Sequence, residues 1–355
     1  MAIEIGVILP TSTPDPRQPI LGDVRAAARL ADELNLGSVW ATDHLIASAP
    51  MLESTVVLAT AAAVTDRVGI GFGVMLLSLR PVAWAAKQVA TLQYVSGNRV
   101  LLGVGTGNPA HGDAGFRAAG VSFADRGRRT DTALGVLPDL IAGRAAMLPD
   151  GTEATLAPGA AVPPILAAGN SARARRRAGQ FGDGWIVLRS DPTALQAEIA
   201  ELRQFAAEFG RPAPGVTVIA PSLSTDAARA GAELADYAAA GIERVILAPT
   251  GADWELGYRF AADIQARTVL LAISSLVIDR GLGQPRAAQQ HLSAGPCTGI
   301  LKRGRLLPWE LPAGCPGGRV GPAAGCAGRA EAGRRWCRNP WNGWCRRWAS
   351  GARSW

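Results

Sequence analysis

Eight short apolar runs recur along the chain as far as residue 249: IEIGVIL (3–9), GSVWAT (37–42), VGIGFGV (68–74), RVLLGVG (99–105), PILAAG (164–169), GWIVL (184–188), VTVIAP (216–221) and RVILAP (244–249). Each is dense in Val, Ile or Leu instead of alternating with polar residues. That is the pattern of parallel strands covered on both faces. Between them, apolar residues return every three or four positions, as in DVRAAARLADELN (23–35), PVAWAAKQVATLQYV (81–95), DRGRRTDTALGVLPDLIAG (125–143) and DPTALQAEIAELRQFAAEFG (191–210). This spacing predicts helices with one face on a core. Pro138 falls inside the third of these helices, where it either kinks the helix or marks its last turn.

Eight strand–helix units ending near residue 269 predict an α/β fold, a (β/α)₈ TIM barrel. An open doubly wound sheet would carry a phosphate fingerprint after its first strand. The glycine-rich stretch LLGVGTGNP offers G-x-G-x-G, but it lacks the third spaced glycine and is interrupted by Pro109. Two connections are longer than a barrel needs. Residues 106–122 follow the fourth strand and therefore belong to the face where active sites gather, as a substrate loop or lid. Residues 144–162 precede the fifth strand and are expected at the opposite end, as a decorated turn or small hairpin.

Composition separates the body from its end. Residues 271–355 hold 13 of the 36 Lys and Arg but only 3 of the 29 Asp and Glu, so the net charge of +7 belongs to this tail. All five cysteines (Cys297, Cys315, Cys326, Cys337, Cys345) and six of the ten tryptophans lie there as well. The tail keeps no helical or strand periodicity, and its cysteines form no C-x-x-C pair of the kind zinc sites use. We expect two segments: a barrel domain over 1–270 and a low-complexity, basic, unstructured tail over 271–355. A tail of this composition also matches a shifted reading frame in GC-rich DNA. An RNA-binding protein using the tail's tryptophans is a separate hypothesis. The body, mildly acidic, is not expected to bind nucleic acid.

The start, MAIEIGVILP, has neither a basic region nor a long apolar one, and TVLLAISSLVI (268–278) is too short to span a bilayer. A cytoplasmic protein without membrane contact follows as the expectation. A small-molecule substrate is the expected partner, a homodimer is left open, and no metal site is foreseen.

Candidate chemistry gathers at the strand ends. The second run closes on Asp43 and His44, one of only three histidines in the chain. An Asp at a strand end reads equally as a turn former, but the mouth of a barrel is where catalytic side chains are placed. After the fifth run, Gly169, Asn170 and Ser171 precede a helix. Its free amides, with the Ser171 hydroxyl and Arg173 in the first turn, form a phosphate cradle; the plainer reading is helix capping. Arg175, Arg176 and Arg177 are expected mostly on the solvated surface of that helix.

Over residues 1–270 the chain resembles the bacterial luciferase-like flavin and deazaflavin oxidoreductases. The resemblance rests on VWATDHL, on GFGVMLLSLRPVAWAAKQVATLQYVSGNRVLLGVGTG, and on AAGNSARARRRAGQFGDGW. It implies a TIM-like barrel binding coenzyme F420 or FMN at its mouth. It further implies a non-prolyl cis peptide at Gly73–Val74, forming a bulge behind the middle ring of the cofactor. Gly169, Asn170 and Ser171 would take the cofactor phosphate and Asp43 would touch the head group. His44 would stand beside the reacting carbon as acid/base, a task suited to imidazole. The Asp-His pair after a Trp-containing second strand leans toward F420, with hydride transfer to or from a small organic substrate. FMN-dependent monooxygenation and a non-catalytic flavin-binding barrel are the alternatives. One position departs from the pattern: Asn108 stands where sugar-phosphate dehydrogenases of the deazaflavin branch carry an acid. Asn cannot give or take that proton, so such a substrate is not expected. Asn108 is grouped with the cofactor-binding residues, and His111 is a second candidate acid/base.

Overall fold

The computed structural model describes residues 3–12, 22–47, 49–188, 191–248 and 253–279. Each apolar run contains a strand. In chain order these are β1 (Glu4–Ile8), β2 (Ser38–Ala41), β3 (Gly69–Leu76), β4 (Val100–Gly105), β5 (Ala146–Met147), β6 (Glu153–Ala154), β7 (Ile165–Ala168), β8 (Gly184–Leu188), β9 (Gly215–Ile219) and β10 (Arg244–Leu247). The helices are α1 (Val24–Glu33), α2 (Ser54–Ala62), α3 (Val82–Ser96), α4 (Ala114–Ala118), α5 (Arg126–Ile141), α6 (Ala172–Phe181), α7 (Pro192–Glu208), α8 (Ala227–Ala239) and α9 (Trp254–Asp279). Short 3₁₀ turns stand at Leu77–Leu79 and Pro109–His111.

All strands except β5 and β6 pair in parallel, in the order β1-β10-β9-β8-β7-β4-β3-β2, and β1 closes the ring by pairing with both β2 and β10. This is the expected (β/α)₈ barrel. The closing seam carries its own ion pair. Glu4 and Arg244 lie opposite each other in register, and the guanidinium grips the carboxylate at 2.6 and 2.8 Å. Ser38 donates to the same carboxylate at 3.0 Å and accepts from the Trp40 indole at 2.8 Å.

Two apolar layers hold the barrel. Trp40, Leu166, Ile186, Ile219 and Ile246 fill its interior, while the outer faces of the strands pack on the helices. Trp40 fits because Gly71 on β3 has no side chain: a Cβ there would lie 2.3 Å from the indole. The helices start and stop where local chemistry dictates. Asp23, Asp191 and Asp226 cap α1, α7 and α8 by accepting from first-turn amides. At the other end of α3, Gly97 adopts φ +65°, the left-handed stop that glycine permits. Pro138 lies in the last turn of α5, where Ala142 N–H still bonds its carbonyl.

The SGNR motif proves to be architecture. Arg99 donates to the carbonyls of Ala62, Thr65, Val68 and Ser96 and to the Thr65 hydroxyl. It thereby closes the C-terminal end of α2 against the entry to β3.

The long connection before β7 is a two-stranded antiparallel hairpin, β5–β6. Its position differs from the expectation. Its tip, Leu148–Asp150, shares a cavity wall with Ser78, Arg80 and Pro81, which follow β3 and therefore belong to the C-terminal side of the barrel. The hairpin climbs the flank of α3, and the return is pinned by Lys87 Nζ to Ala157 O and Gln93 Nε2 to Ala161 O.

The chain divides into two units, Met1–Ala288 and Gln289–Trp355. α9 continues past residue 270, where the sequence places the end of the barrel domain, to Asp279. The cysteines and tryptophans of the tail lie outside the described residues. Among the described residues, no helix is long and apolar enough to cross a membrane.

Candidate active site at the barrel mouth

The C-terminal ends of the strands surround a cavity of about 510 Å³. β2 contributes Thr42, Asp43 and His44 just beyond its end, and β3 contributes Gly73, Val74 and Leu76. The loop after β4 adds Asn108 and His111, and the loop after β7 adds Gly169, Asn170 and Ser171. Of the residues singled out from the sequence, only Arg173 is missing from this wall. It sits in the second position of α6 with its side chain exposed to solvent.

The β3 wall is irregular. The Gly73–Val74 peptide is cis, at the position the resemblance implies, and the pairing register with β4 shifts between Phe72 and Met75. Opposite this bulge, β4 carries glycines for lack of room. A Cβ on Gly103 would lie 2.1 Å from the Phe72 carbonyl oxygen, and one on Gly105 would lie 2.4 Å from Val74 Cγ2. The bulge displaces Val74 toward the barrel mouth, beside Leu76, Ile186 and Ile219, so one side of the cavity is apolar.

Asp43 is nearly fully buried, and its carboxylate is already engaged. Arg80 holds it in a two-pronged pair, Nη1 to Oδ2 at 2.7 Å and Nη2 to Oδ1 at 3.1 Å, and the Leu76 amide donates to Oδ2 at 2.9 Å. The resemblance gives Asp43 to the cofactor head; in the structure both of its oxygens are also engaged within the protein. Its two oxygens tie the end of β2 to the far side of the bulge, which leaves the residue lining the cavity as a braced corner. Arg80 was missed from the sequence, although its place in the Arg-Pro step after the third strand was visible.

His44 follows directly and is half buried. The ring of His111 meets it edge to face, with centroids 4.9 Å apart. Burial, then the nearness of His111, hold the His44 pKa below its ordinary value, against an opposing pull from Asp43. His44 is therefore a neutral imidazole near pH 7, able to accept a proton. His111 itself is exposed. Its loop is set by Asn108, whose Oδ1 accepts from Ala110 N–H at 3.0 Å and caps the short turn. Asn108 is thus a loop former that also lines the cavity.

Across the mouth, Gly169 adopts φ +133°, a conformation side chains avoid. Its carbonyl accepts from the buried Trp185 indole at 2.8 Å. The Asn170 side chain pairs with both backbone groups of Leu188, at 2.9 and 3.0 Å, extending the β7–β8 connection by one side-chain rung. Ser171 caps α6, its Oγ accepting from Ala174 N–H at 3.3 Å. The amides of Ala172 and Arg173 have no acceptor within the helix and stand at its positive end. Among the basic residues of α6, Arg175 and Arg177 are not solvated as expected. Arg175 is buried against Glu198, Glu201 and the Asn170 carbonyl, and Arg177 pairs with Asp131. Arg175 thus steadies the cradle from behind without entering the cavity.

These features fit a flat, phosphate-bearing redox cofactor. A bulged apolar wall backs one face, a helix N-terminus with a hydroxyl faces it, and an imidazole stands at the side. No Lys or Arg among the described residues lines the cavity, so a phosphate there would be held by amides and hydroxyl. Among the described residues, no group of three or more His, Cys, Asp or Glu could hold a metal ion.

Comparison with known proteins agrees with this fold. An uncharacterised protein of Mycobacterium tuberculosis is 37% identical over 172 residues, 46% of this chain and 58% of that protein. The chain thus spans rather more than half the length of the curated relative it matches. An F420-dependent secondary alcohol dehydrogenase, solved with an F420–acetone adduct, superposes with a TM-score of 0.66 at 18% identity, over 76% of this chain and 99% of that one. A monooxygenase from Streptomyces bottropensis superposes with a TM-score of 0.63 at 17% identity, over 76% and 100%. At such identities these two structures attest the fold alone. The family model described as luciferase-like monooxygenase matches residues 3–289, and the chain belongs to that family.

Proposed function

We propose that the protein is an oxidoreductase that moves a hydride between coenzyme F420 and a small organic substrate. The observation that carries this reading is His44, half buried and flanked by His111, on the rim of the same cavity as the Gly73–Val74 bulge and the α6 N-terminus. Gly73 and Val74 would back the ring system, and Gly169, Asn170 and Ser171 would hold the phosphate. The bound cofactor supplies the two-electron acceptor or donor.

The chain's own residues do the rest. When a substrate alcohol loses hydride from its carbon, its hydroxyl proton must leave, and neutral His44 takes it. In the reverse direction the protonated His44 returns it to the carbonyl oxygen. Val74, Leu76, Ile186 and Ile219 keep water from the reacting carbon, and Asp43, clamped by Arg80, fixes the strand end from which His44 projects. Likeness to a secondary alcohol dehydrogenase supports this direction of chemistry. Likeness to a monooxygenase at a similar TM-score supports the second reading, an FMN-dependent monooxygenase using reduced flavin and O₂.

The test is to titrate the purified protein with F420 and with FMN, following cofactor fluorescence, and then to assay a series of small alcohols and ketones. Quenching by F420 together with alcohol-dependent reduction supports the proposal. Tight FMN binding with oxygen uptake replaces it by the second reading. Binding of either cofactor without turnover of any substrate would reduce the protein to a flavin-binding barrel.

A further inference from the structure

A narrow cleft of about 20 Å³ adjoins the main cavity along His44 and His111, which line both, as does Leu76. Beyond them its walls are Leu45, Ile46, Leu79 and Phe116, and no Lys, Arg, Asp or Glu among the described residues lines it. One water-sized sphere needs about 10–15 Å³, so the cleft has room for a single methyl-sized group. Its walls are already in place. α4 lies close on the loop after β2 because Gly115 has no side chain: a Cβ there would stand 3.3 Å from Ile46 N and 3.6 Å from Leu45 Cβ. Phe116 is buried and meets Phe123 edge to face, with ring centroids 4.9 Å apart. Phe123 is held in turn by Arg126, which lies over its ring and donates from Nη1 to its carbonyl at 2.8 Å. Opposite α4, Leu45 and Ile46 are 57% and 49% exposed, two large apolar side chains standing directly after His44. Adjacent exposed apolar side chains beside a preformed cavity mark a surface that a ligand covers.

We propose that this cleft takes a methyl substituent of the substrate, and that Ile46 and Leu79 set its size limit. The substrate class is then methyl ketones and the secondary alcohols they give on reduction. The inference rests on the reading of His44 as the group that meets the substrate oxygen. A carbon held with its oxygen at His44 has two substituents to place. One turns into the cleft, where the walls offer apolar surface and a methyl's worth of room. The other stays in the larger cavity. An ethyl group in the cleft would have to displace Ile46 or Leu79 from packed positions, which is unfavourable. A charged substituent would lose its hydration there without gaining a partner. The limit is set by the walls and holds whichever cofactor is bound.

The experiment pairs binding with turnover on the full chain. Saturation-transfer NMR titrations measure binding of 2-butanone, which has a methyl group on its carbonyl, and of 3-pentanone, which has two ethyl groups. Steady-state kinetics with reduced F420 gives kcat/KM for the same two ketones. We expect both readouts to favour 2-butanone about tenfold or more, the usual worth of one methylene in a fitted pocket. Ile46→Ala should remove most of that preference by admitting the ethyl group, with F420 affinity unchanged. Leu79→Ala should do the same from the opposite wall, and it carries the test should Ile46→Ala fail to fold. A binding preference that the variants abolish, without turnover of either ketone, would remove the proposed hydride transfer and keep the cleft as a methyl site. Equal handling of the two ketones, or a preference that neither variant alters, would overturn the cleft assignment whether or not turnover occurs. Binding of neither ketone would overturn it as well.

Discussion

The rings of His44 and His111 meet edge to face at the barrel mouth, centroids 4.9 Å apart and planes inclined at 68°. Two imidazoles that close disfavour simultaneous protonation. The pKa of His44, the more buried of the two, is held below its ordinary value by burial first and by the nearness of His111 second.

Replacing His44 by Ala should therefore remove the proton acceptor and lower turnover by about 10²–10⁴-fold. Cofactor affinity should change little, because the contacts assigned to it lie at Gly73–Val74 and Ser171. Steady-state kinetics beside a fluorescence titration checks this. Wild-type turnover in the variant would strike His44 from the chemistry.

His111→Ala should raise the His44 pKa toward its ordinary value of about 6.5, since His111 is one of the two causes of its lowering. Alcohol oxidation needs the neutral ring, so the acid limb of the rate profile should move to higher pH in the variant. Histidine NMR titration reads the same shift directly. A downward shift would contradict the assignment of His111 as a repulsive neighbour.

The same lowering has a consequence for stability. A histidine whose folded pKa lies below its unfolded value stabilises the fold above the unfolded value, about 6.5, and that contribution is lost as pH falls through the folded value. Denaturant midpoints should thus fall on acidification below about pH 6.5, and His44→Gln should blunt that fall. An unchanged pH dependence would mean that His44 is not a neutral buried ring.

Asp43→Ala should act on folding before it acts on cofactor. The substitution leaves Arg80, only 18% exposed, without its carboxylate, and strands the Leu76 amide. Breaking such a pair costs on the order of 3 kcal/mol. Thermal melting should show a large loss, and Arg80→Ala should show a comparable one. A variant as stable as the parent would restore Asp43 to a purely ligand-binding role.

Ser171→Ala should do two separable things. Loss of the cap bond to Ala174 N–H should cost about 1 kcal/mol of stability. Loss of a phosphate donor should weaken the intact cofactor more than its dephosphorylated form. Equal losses for both forms would leave Ser171 as a cap alone.

What the sequence by itself determined is what depends on neighbours along the chain. Apolar runs set the eight strands, because a parallel strand covered on both faces must be apolar throughout. Three-to-four spacing set α1, α3, α5 and α7, and Ser171 was legible as a cap because capping is a bond within one turn. Asp43 and His44 were legible as mouth residues because a barrel sends every strand end to the same rim.

Tertiary structure alone decided what depends on which loops meet. Arg80 reaches Asp43 only because β2 and β3 are neighbours in the closed ring, and His44 reaches His111 only because the loop after β4 folds back over the end of β2. Within α6, Arg173 faces solvent while Arg175, two residues on, is buried against α7. Helical pitch fixes their angular separation, but the packing of α7 decides which side is covered. The hairpin left its expected end of the barrel because the flank of α3 offers side-chain donors, Lys87 Nζ and Gln93 Nε2, to the carbonyls of Ala157 and Ala161 on its return. In each case the deciding contact joins segments distant along the chain, and local periodicity carries no information about such contacts.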